Sequence, residues 1–533
     1  MADKQLLLGD EALALAALHA GLTGVYAYPG TPSTEITEFI QNHPLTRERG
    51  IHSEWSCNEK TAMEGALGVS YAGKRALVCM KHVGMNVCAD AFVNSGMTGA
   101  NGGLVVAACD DPSMHSSQNE QDSRFYGAFA MVPVFEPSNQ QEAYDMTRYA
   151  YTYSEKRRIP VLMRLTTRMA HSRAVVETKG TEPENELHFP ENGRQWVLLP
   201  ANAKGRNAQL VKDYLQFEED AVASPFNRLE DGKDHRLGII ACGIAYNYLM
   251  ENFPDGCPYP VLKVSQYPFP RELARQLAGQ CETLLVLEEG QPLVEERLRG
   301  VLPQEKPIRG RLDGAVPRTG ELTPDCVRIA LGMDPLPSRP ASEVVVPRPP
   351  ALCQGCGHRD FYTALNAVVK NYPTARVFGD IGCYTLGWLA PFHALHTCVE
   401  MGASLTMAQG AAHSGVWPSI AVIGDSTFTH SGMTGLLDAV NSKADVTLCI
   451  SDNLTTGMTG GQDSAGTGRL EAICAGIGVD PAHIRTIVPL PKNYPEMEAT
   501  IREEIEYHGV SVIICRRECI QTAKRHLAQQ KKK

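Results

Sequence analysis

An aspartate and an asparagine follow two apolar segments in the carboxyl-terminal part of the chain. Asp425 lies in Gly424-Asp425-Ser426 after the predicted strand 420–423, and Asn453 follows the predicted strand 446–450, with 26 residues between Ser426 and Asn453. Parallel strands place their carboxyl ends at one edge of a sheet, where α/β proteins bind ligands. Carboxylate and amide oxygens there suit Mg²⁺ that bridges to a phosphate group. The same residue types are common in turns, so the spacing alone leaves a magnesium site and two unrelated turns as alternatives.

Two other segments have the composition of anion-binding loops. Residues 453–462 are mostly glycine or hydroxyl-bearing residues, which lets the backbone approach an anion closely. Residues 28–33 join a predicted strand to a predicted helix over 33–40, with Thr31 as the N-cap and Pro32 at the first helical position. Free N–H groups at a helix N-terminus attract anions. An ordinary capped helix is the simpler explanation of this spacing taken by itself.

A Cys-x2-Cys pair is present once, in Cys353-Gln354-Gly355-Cys356-Gly357-His358. A protein metal site normally takes three or four ligands, and neither a second Cys-x2-Cys nor the cysteine run of a bacterial ferredoxin occurs in the sequence. The spacing therefore does not predict a metal site at this pair.

Strand-like and helix-like segments alternate along most of the chain, which is typical of parallel sheets with helices on both faces. The fold class is predicted as α/β, with two doubly wound domains that flank a smaller α/β domain. A proline-rich segment over 335–350 predicts a boundary. The predicted domains are 1–180, 181–345 and 346–533.

Composition excludes some functional classes. The 533 residues carry a net charge of −10, so no basic face for nucleic acid is expected. No apolar run reaches the roughly 18 residues of a membrane span, and Asp10 and Glu11 interrupt the apolar start, unlike a secretory signal. The 16 cysteines are expected to be thiols in the cytoplasm.

Several motifs together resemble one enzyme family. Gly424-Asp425-Ser426 followed by Asn453 is similar to the thiamine-diphosphate fingerprint, with Ser426 in place of a glycine. The run 453–462 and the Cys353–His358 loop resemble segments of the 2-oxoacid:ferredoxin oxidoreductases, with Gln354 where the family has proline. Residues 81–86 and 115–124 resemble loops of the indolepyruvate-type alpha chains. The sequence is identified as a member of the indolepyruvate:ferredoxin oxidoreductase alpha-subunit family.

The resemblance implies a set of cofactor residues. Asp425, Asn453 and the Thr455 carbonyl would hold Mg²⁺ against the diphosphate of thiamine diphosphate. The other implied cofactor contacts are Gly357, His358, Gly382, Cys383, Met401, Gly402, Gly424 and Ser426.

The resemblance also implies catalytic and substrate residues. Glu59, preferred over Glu54 and Glu64, would protonate the aminopyrimidine ring, because a carboxyl group in a dry pocket can share a proton. Taken alone, Glu59 is equally a first-turn carboxylate that complements a helix dipole. The implied substrate residues are Thr31, which is also assigned a catalytic role, and Lys81, His82, His115 and Asn119.

By the same likeness the reaction is oxidative decarboxylation of a 2-oxoacid, such as indolepyruvate, to an acyl-CoA, with electrons passed to ferredoxin. The family builds its site between an amino and a carboxyl domain, usually from different subunits. The resemblance thus implies a homodimer of alpha chains, and with a beta subunit an α2β2-like complex.

The sequence departs from the family at its end, where the longer alpha chains carry a ferredoxin-like domain with two clusters. Cys515 and Cys519 cannot ligate a cluster without partners, so iron–sulfur clusters are expected only in a partner subunit, such as a separate ferredoxin-like subunit. A non-oxidative thiamine-diphosphate decarboxylase or carboligase, and a chain without catalysis, stay as alternatives. The motifs name neither the oxoacid nor the acyl acceptor.

Overall fold

The computed structural model describes residues 3–190, 193–337 and 340–530. The chain folds into two compact units, residues 1–339 and 340–533. No helix within the described ranges combines the length and apolar character needed to cross a membrane.

The first unit contains 14 strands and 13 helices within the described residues. The strands are β1 (Lys4–Leu8), β2 (Gly24–Ala27), β3 (His52–Trp55), β4 (Ala76–Lys81), β5 (Leu104–Asp110), β6 (Val134–Phe135), β7 (Val161–Thr166), β8 (Arg173–Glu177), β9 (Arg228–Glu230), β10 (Leu237–Cys242), β11 (Val261–Val264), β12 (Gln266–Tyr267), β13 (Thr283–Leu287) and β14 (Ile308–Arg309). The helices are α1 (Gly9–His19), α2 (Thr34–Asn42), α3 (Pro44–Arg49), α4 (Glu59–Tyr71), α5 (His82–Thr98), α6 (Arg124–Ala130), α7 (Gln140–Arg157), α8 (Thr167–His171), α9 (Pro200–Val222), α10 (Ile244–Met250), α11 (Arg271–Gln280), α12 (Leu293–Arg299) and α13 (Pro324–Ala330).

The largest sheet of this unit has seven strands in the order β12-β6-β7-β5-β4-β2-β3. All pairs are parallel except β12 with β6. Every residue of β4, β5 and β7 is buried, as expected for a parallel sheet covered on both faces. Helices α1 and α7 pack on one face, and α4 and α5 on the other.

A second sheet of the first unit has the order β14-β13-β10-β11-β9. Buried charges connect the two sheets: Arg124 contacts Asp122 at 2.6 Å and Glu288, directly after β13, at 2.9 Å. Arg164 of β7 contacts Asp110 at 2.6 Å. Arg124, Arg164 and the carboxylates that they contact are therefore paired, which buried charges require. The domain boundaries near residues 180 and 345 stay predictions.

The second unit contains a five-stranded sheet in the order β15-β16-β17-β19-β18, with every neighbouring pair parallel. Its strands are β15 (Arg376–Gly379), β16 (Ser419–Gly424), β17 (Val446–Asp452), β18 (Ile484–Ile487) and β19 (Val510–Arg516). Its helices are α14 (Gly357–Val369), α15 (Ala403–His413), α16 (Asp425–Thr427), α17 (Met433–Asn441), α18 (Leu470–Ile477), α19 (Tyr494–Glu506) and α20 (Ile520–Gln530). Separate apolar clusters cover its two faces. The predicted α/β class is confirmed.

One predicted helix start is wrong. Helix α2 begins at Thr34 with Ser33 as N-cap, so Thr31 lies in the preceding turn. The Gly30 N–H donates to Thr34 Oγ1 at 3.0 Å and Ser33 Oγ donates to the Gly30 carbonyl at 2.7 Å, which closes that turn. After β16, α16 continues through a π-turn over Phe428–Gly432 into α17.

Candidate functional site

Three neighbouring strand ends of the second unit bring polar residues to one sheet edge. Asp380 follows β15, Asp425 follows β16, and Asn453 follows β17. The register pairs Gly424 with Ser451, so Asp425 lies beside the end of β17. Ser426 Oγ and Thr456 Oγ1 are hydrogen-bonded at 2.8 Å, which connects the two loops. The structure thus brings together the Asp425 and Asn453 segments that spacing alone could not join.

Asp425 carries an uncompensated buried carboxylate. It is 2% exposed, and its Oδ2 has no hydrogen-bond partner among the described residues. Burial, and then the nearby Asp452, raise the pKa of Asp425 to about 7. Asp452 itself is paired with Arg516 at 2.6 Å. A buried carboxylate oxygen without a partner is costly, and a divalent cation with oxygen ligands fits this position.

The loop after β17 supplies further oxygens next to Asp425. The Thr455 N–H donates to Asn453 Oδ1 at 3.1 Å, and Thr455 Oγ1 donates to the Gln462 carbonyl at 2.9 Å. Leu454 adopts a left-handed conformation with φ of 61°, so the backbone turns sharply between these residues. The Asn453 amide and the Thr455 backbone therefore stand next to each other at the loop that contacts Ser426.

Tyr384 and Asp380 organise the turns around this edge. The Tyr384 ring lies against two glycines: a Cβ on Gly382 or Gly424 would approach Tyr384 Cε1 to 2.3 or 2.7 Å. The Tyr384 hydroxyl donates to Asp380. Burial raises the pKa of Asp380 to about 6, while hydrogen bonds, the strongest of them from Ser404, oppose the shift. The two glycines are thus required by close contact with one buried ring.

The turn at Met401 and Gly402 lies against the π-turn that follows Asp425. Gly402 has φ of 93°, and a Cβ there would lie 2.6 Å from Ser431 Cβ. The N–H groups of Gly402 and Ser404 both donate to Asp380 Oδ2 at 3.2 Å. Asp380 therefore fixes the start of α15 beside the candidate site.

Gly357 and His358 form the first turn of α14, whose N-terminal N–H groups attract anions. His358 is 6% exposed, and burial lowers its pKa to about 4. Its ring is therefore neutral at pH 7 and can donate one hydrogen bond. His358 Nδ1 lies 3.4 Å from Cys356 Sγ, so the two hydrogen-bonding groups share one corner of the site.

Five cysteines line one cavity of about 100 Å³ together with His358 and Asn453: Cys353, Cys356, Cys383, Cys515 and Cys519. Cys515 is buried within strand β19, and the other four lie outside the strands. Burial, followed by the neighbouring thiols of Cys356, Cys519 and Cys353, raises the pKa of Cys383 to about 12. The Cys519 N–H donates to the Asn453 carbonyl at 3.0 Å. The fold thus brings three more thiols to the Cys-x2-Cys pair, which the spacing in the sequence did not indicate.

The geometry of these thiols distinguishes two kinds of metal group. Ligands of a single zinc ion lie about 2.3 Å from it, so their sulfur atoms converge within about 4 Å of one another. Within the described chain, no three or more thiols have sulfur atoms that all lie within 4.8 Å of one another. A cluster of several iron atoms is larger and suits a wider set of thiolates.

Of the three candidate glutamates in the first unit, the structure buries Glu59 and exposes Glu54 and Glu64. Glu59 is 5% exposed and is the first residue of α4. A Cβ on Gly84 would lie 2.6 Å from Glu59 Cγ, so the absence of a side chain on α5 makes room for this carboxylate. A buried glutamate of this kind suits proton sharing with a ring nitrogen.

The predicted substrate residues Thr31 and Lys81 lie around one loop. Lys81 Nζ donates to the Ser116 carbonyl at 2.7 Å, and Ser116 Oγ donates to the Thr31 carbonyl at 3.5 Å. Burial lowers the pKa of Lys81 to about 8, opposed by the charge of Asp111. Lys81 is therefore largely a cation at pH 7, at the carboxyl end of β4.

The other three predicted substrate residues differ in their surroundings. His82 is fully buried; burial lowers its pKa, and the charge of Asp110 opposes this shift. Asn119 is exposed and lies close enough to His82 to affect its pKa. His115 is exposed, and its Nε2 lies 3.6 Å from Glu321.

Sequence reasoning missed Asp380 and Tyr384, and it considered Cys519 only as a pair with Cys515. One signal for Asp380 is present in the sequence, because Gly379-Asp380 repeats the Gly-Asp step of Gly424-Asp425 at a strand end. No local pattern marks Tyr384 or Cys519, whose roles depend on contacts across the sheet edge.

Segments of both units match models of known protein families. Residues 15–224 match the family model "Pyruvate flavodoxin/ferredoxin oxidoreductase, thiamine diP-bdg", and residues 380–515 match "Thiamine pyrophosphate enzyme, C-terminal TPP binding domain". The solved 2-oxoglutarate:ferredoxin oxidoreductase from Magnetococcus marinus has a TM-score of 0.51 at 15% identity, covering 62% of this chain and 65% of that chain. The structural similarity to this solved enzyme supports the α/β fold.

Relatives that align with nearly the whole chain are more similar to it in sequence than this solved enzyme is. The indolepyruvate oxidoreductase subunit IorA of Archaeoglobus fulgidus is 39% identical over 547 residues, covering 97% of this chain and 86% of that protein. IorA of Methanothermobacter marburgensis is 37% identical over 550 residues, covering 97% and 87%. IorA of Pyrococcus horikoshii is 37% identical over 568 residues, covering 97% and 86%. The chain therefore belongs to the thiamine-diphosphate-binding IorA family of indolepyruvate oxidoreductase subunits.

Proposed function

We propose that this chain catalyses oxidative decarboxylation of a 2-oxoacid, an arylpyruvate such as indolepyruvate, to an acyl-CoA, with electrons passed to ferredoxin. The observation that carries the proposal is the cysteine-lined cavity, which shares His358 and Asn453 with the candidate cofactor site. A thiol set able to hold an electron acceptor beside the cofactor favours an oxidative reaction over the non-oxidative decarboxylase or carboligase. The names of the full-length relatives support the same substrate class.

Residues of the second unit would bind the diphosphate end of the cofactor. Asp425, the Asn453 amide and the Thr455 carbonyl would hold Mg²⁺, since the unpartnered Asp425 Oδ2 lies at a strand end beside them. The neutral His358 ring and the first turn of α14 would donate hydrogen bonds to phosphate oxygens. Thiamine diphosphate, when bound, supplies the carbon nucleophile and stabilises the negative charge left by the departing CO2.

Residues of the first unit would move a proton and orient the substrate. Glu59 would hold a proton at the aminopyrimidine ring nitrogen, in a pocket from which its burial excludes water. Lys81 would pair with the oxoacid carboxylate, and the Thr31 hydroxyl would donate to the substrate. His82 would line the same pocket, with Asn119 and His115 at its border.

Cys353, Cys356, Cys383 and Cys519 would hold an iron–sulfur cluster that takes electrons from the cofactor. Further clusters are proposed in a partner subunit, because the five cysteines that line this cavity supply the four ligands of one cluster only. The test is to replace Cys519 by serine and purify the protein without oxygen. We expect loss of the iron and inorganic sulfide bound per chain and of the visible absorption near 400 nm, with the fold retained.

A matched control for that variant is Cys398→Ser, since Cys398 is an exposed thiol of the same unit that lies outside the cavity. Cys398→Ser should keep its iron and sulfide. Equal iron in Cys519→Ser and the wild type would show that these thiols do not hold a cluster.

The partners proposed are a second alpha chain, a beta subunit, coenzyme A and a ferredoxin-like subunit. The Magnetococcus neighbour, which binds coenzyme A and succinyl-CoA, supports coenzyme A as the acyl acceptor. A cytoplasmic location is proposed as well, because all 16 cysteines are free thiols and thiols of this number suit a reducing compartment.

The function is tested by product analysis on the complex purified anaerobically from its native cells. Indolepyruvate, phenylpyruvate, pyruvate and 2-oxoglutarate are supplied in turn with coenzyme A and a viologen dye. We expect aryl-acetyl-CoA together with dye reduction, fastest for the two arylpyruvates. Aldehyde or a coupled hydroxyketone without dye reduction would contradict the oxidative assignment and favour the non-oxidative enzyme.

A further inference from the structure

Three ligand-type side chains meet in the first unit at the carboxyl end of its large sheet. Asp10 lies in the first turn of α1, Glu35 in the first turn of α2, and His171 is the last residue of α8. One potential ligand atom from each lies within 4.8 Å of the other two. His171 Nε2 lies 3.6 Å from Glu35 Oε2. None of the three belongs to the residues assigned to thiamine diphosphate.

Asp10 is the buried member of this group. Its side chain is fully buried, and neither of its carboxylate oxygens has a hydrogen-bond partner among the described residues. Burial, and then the charges of Glu35 and Glu11, raise the pKa of Asp10 well above its usual range. Nothing in these contacts compensates a negative charge on Asp10.

The side chains around Asp10 do not supply the missing charge. Within the described ranges neither Asp10 nor Glu35 is ion-paired with a lysine or arginine; His171 is the only cationic group that contacts Glu35. The neighbouring thiol of Cys109 is neutral, because burial and the charge of Asp10 raise its pKa well above its usual range. Two carboxyl groups therefore face each other with one imidazole at the exposed side of the group.

We propose that Asp10, Glu35 and His171 bind one divalent cation of the Mn²⁺ or Zn²⁺ class. Two carboxylates and one imidazole are the mixed oxygen and nitrogen donor set that such ions take, with open positions left for water. The burial of the group supports this, since Asp10 is buried while Glu35 is half-buried and His171 is exposed, which gives an ion a path from solvent.

The cation would join three helices that the chain brings together from distant segments. Glu35 lies four residues after Thr31, so the ion would hold the first turn of α2 and the substrate loop before it against α1 and α8. Its role would be to fix that loop at the sheet edge.

Mn²⁺ is the probe, because it prefers carboxylate and imidazole ligands to thiolates and so avoids the cysteine-lined cavity. The metal-free protein is titrated with Mn²⁺, and the loss of the free-ion paramagnetic resonance signal gives the number of ions bound per chain. We expect the wild type to bind one more Mn²⁺ than His171→Asn or Asp10→Asn, and Asp425→Asn to keep this ion.

The controls separate ligand loss from misfolding. His171 is exposed, so its replacement should not disturb the fold, and His235→Asn, another exposed histidine of the first unit, should bind Mn²⁺ like the wild type. Changes outside the ligand shell alone typically cost about 10–100-fold in metal affinity, so loss of a ligand should cost at least as much. Mn²⁺ should raise the Tm of the wild type by more than it raises that of His171→Asn, because the variant keeps only the cation site at Asp425.

Two results would overturn the proposal. The first is equal Mn²⁺ binding by the wild type and His171→Asn. The second is a wild-type Tm that Mn²⁺ does not change while Asp10→Asn is as stable as the wild type or more stable, which would show that Asp10 is a buried protonated acid without an ion.

Discussion

Glu59→Gln should lower turnover by about 10³-fold, within the range by which positioned acid–base groups accelerate proton transfer, while leaving the fold intact. Glutamine has nearly the same shape as glutamate, and the gap opposite Gly84 that accommodates Glu59 accepts it. The amide cannot give a proton to the aminopyrimidine ring nitrogen. The direct measurement is the rate of hydrogen–deuterium exchange at the reactive carbon of bound thiamine diphosphate, read by NMR after an acid quench.

The control for Glu59→Gln is Glu64→Gln on the same helix. Glu64 is exposed and pairs with Lys60, and a surface pair of this kind contributes little to stability. Exchange and turnover should therefore match the wild type in Glu64→Gln. Exchange at the wild-type rate in Glu59→Gln would remove Glu59 from the proposed role, whatever its effect on overall activity.

Asp425→Asn should weaken the binding of Mg²⁺ and thiamine diphosphate by about 100-fold, because it removes the charged oxygen that would contact a hard cation. The same change should leave the metal-free protein at least as stable as the wild type, since a buried uncompensated carboxylate is costly. Calorimetric titration with Mg²⁺ and thiamine diphosphate measures the first effect, and thermal unfolding without ligands measures the second. A loss of affinity together with a lower Tm would indicate damage to the fold instead.

Asp438→Asn provides the matched control, because Asp438 is an exposed aspartate on the neighbouring helix α17. Its cofactor affinity should equal that of the wild type. Unchanged cofactor affinity in Asp425→Asn would contradict the assignment of the cation site.

A mixed dimer of one Glu59→Gln chain and one Asp425→Asn chain tests the proposed homodimer. If one chain supplies Glu59 and its partner supplies Asp425, a dimer of one Glu59→Gln chain and one Asp425→Asn chain holds one intact site. Co-assembled complexes should then show roughly half the activity of the wild type per mixed dimer, while each variant alone is inactive. Mixed dimers without activity would show that both residues of a site come from the same chain.

Much of the fold and part of the candidate site could be predicted from the sequence. Alternating apolar segments indicated the parallel sheets, because strands buried on both faces need continuous apolar runs. The Asp425 and Asn453 motifs were recognisable because each lies at the end of such a run. The start of α2 was wrong by a few residues, since the hydrogen bonds of Gly30 and Ser33 decide it, and such contacts leave no periodic signal.

The sequence by itself therefore determined the fold class, the family and the strand-end residues, all of which depend on local pattern or on short motifs. Only the tertiary structure decided that Cys383 and Cys519 join Cys353 and Cys356, and that His171 meets Asp10 and Glu35. These groups come from segments far apart in the chain. Their meeting depends on strand order and on the buried contacts that orient each loop, and hydrophobic periodicity specifies neither.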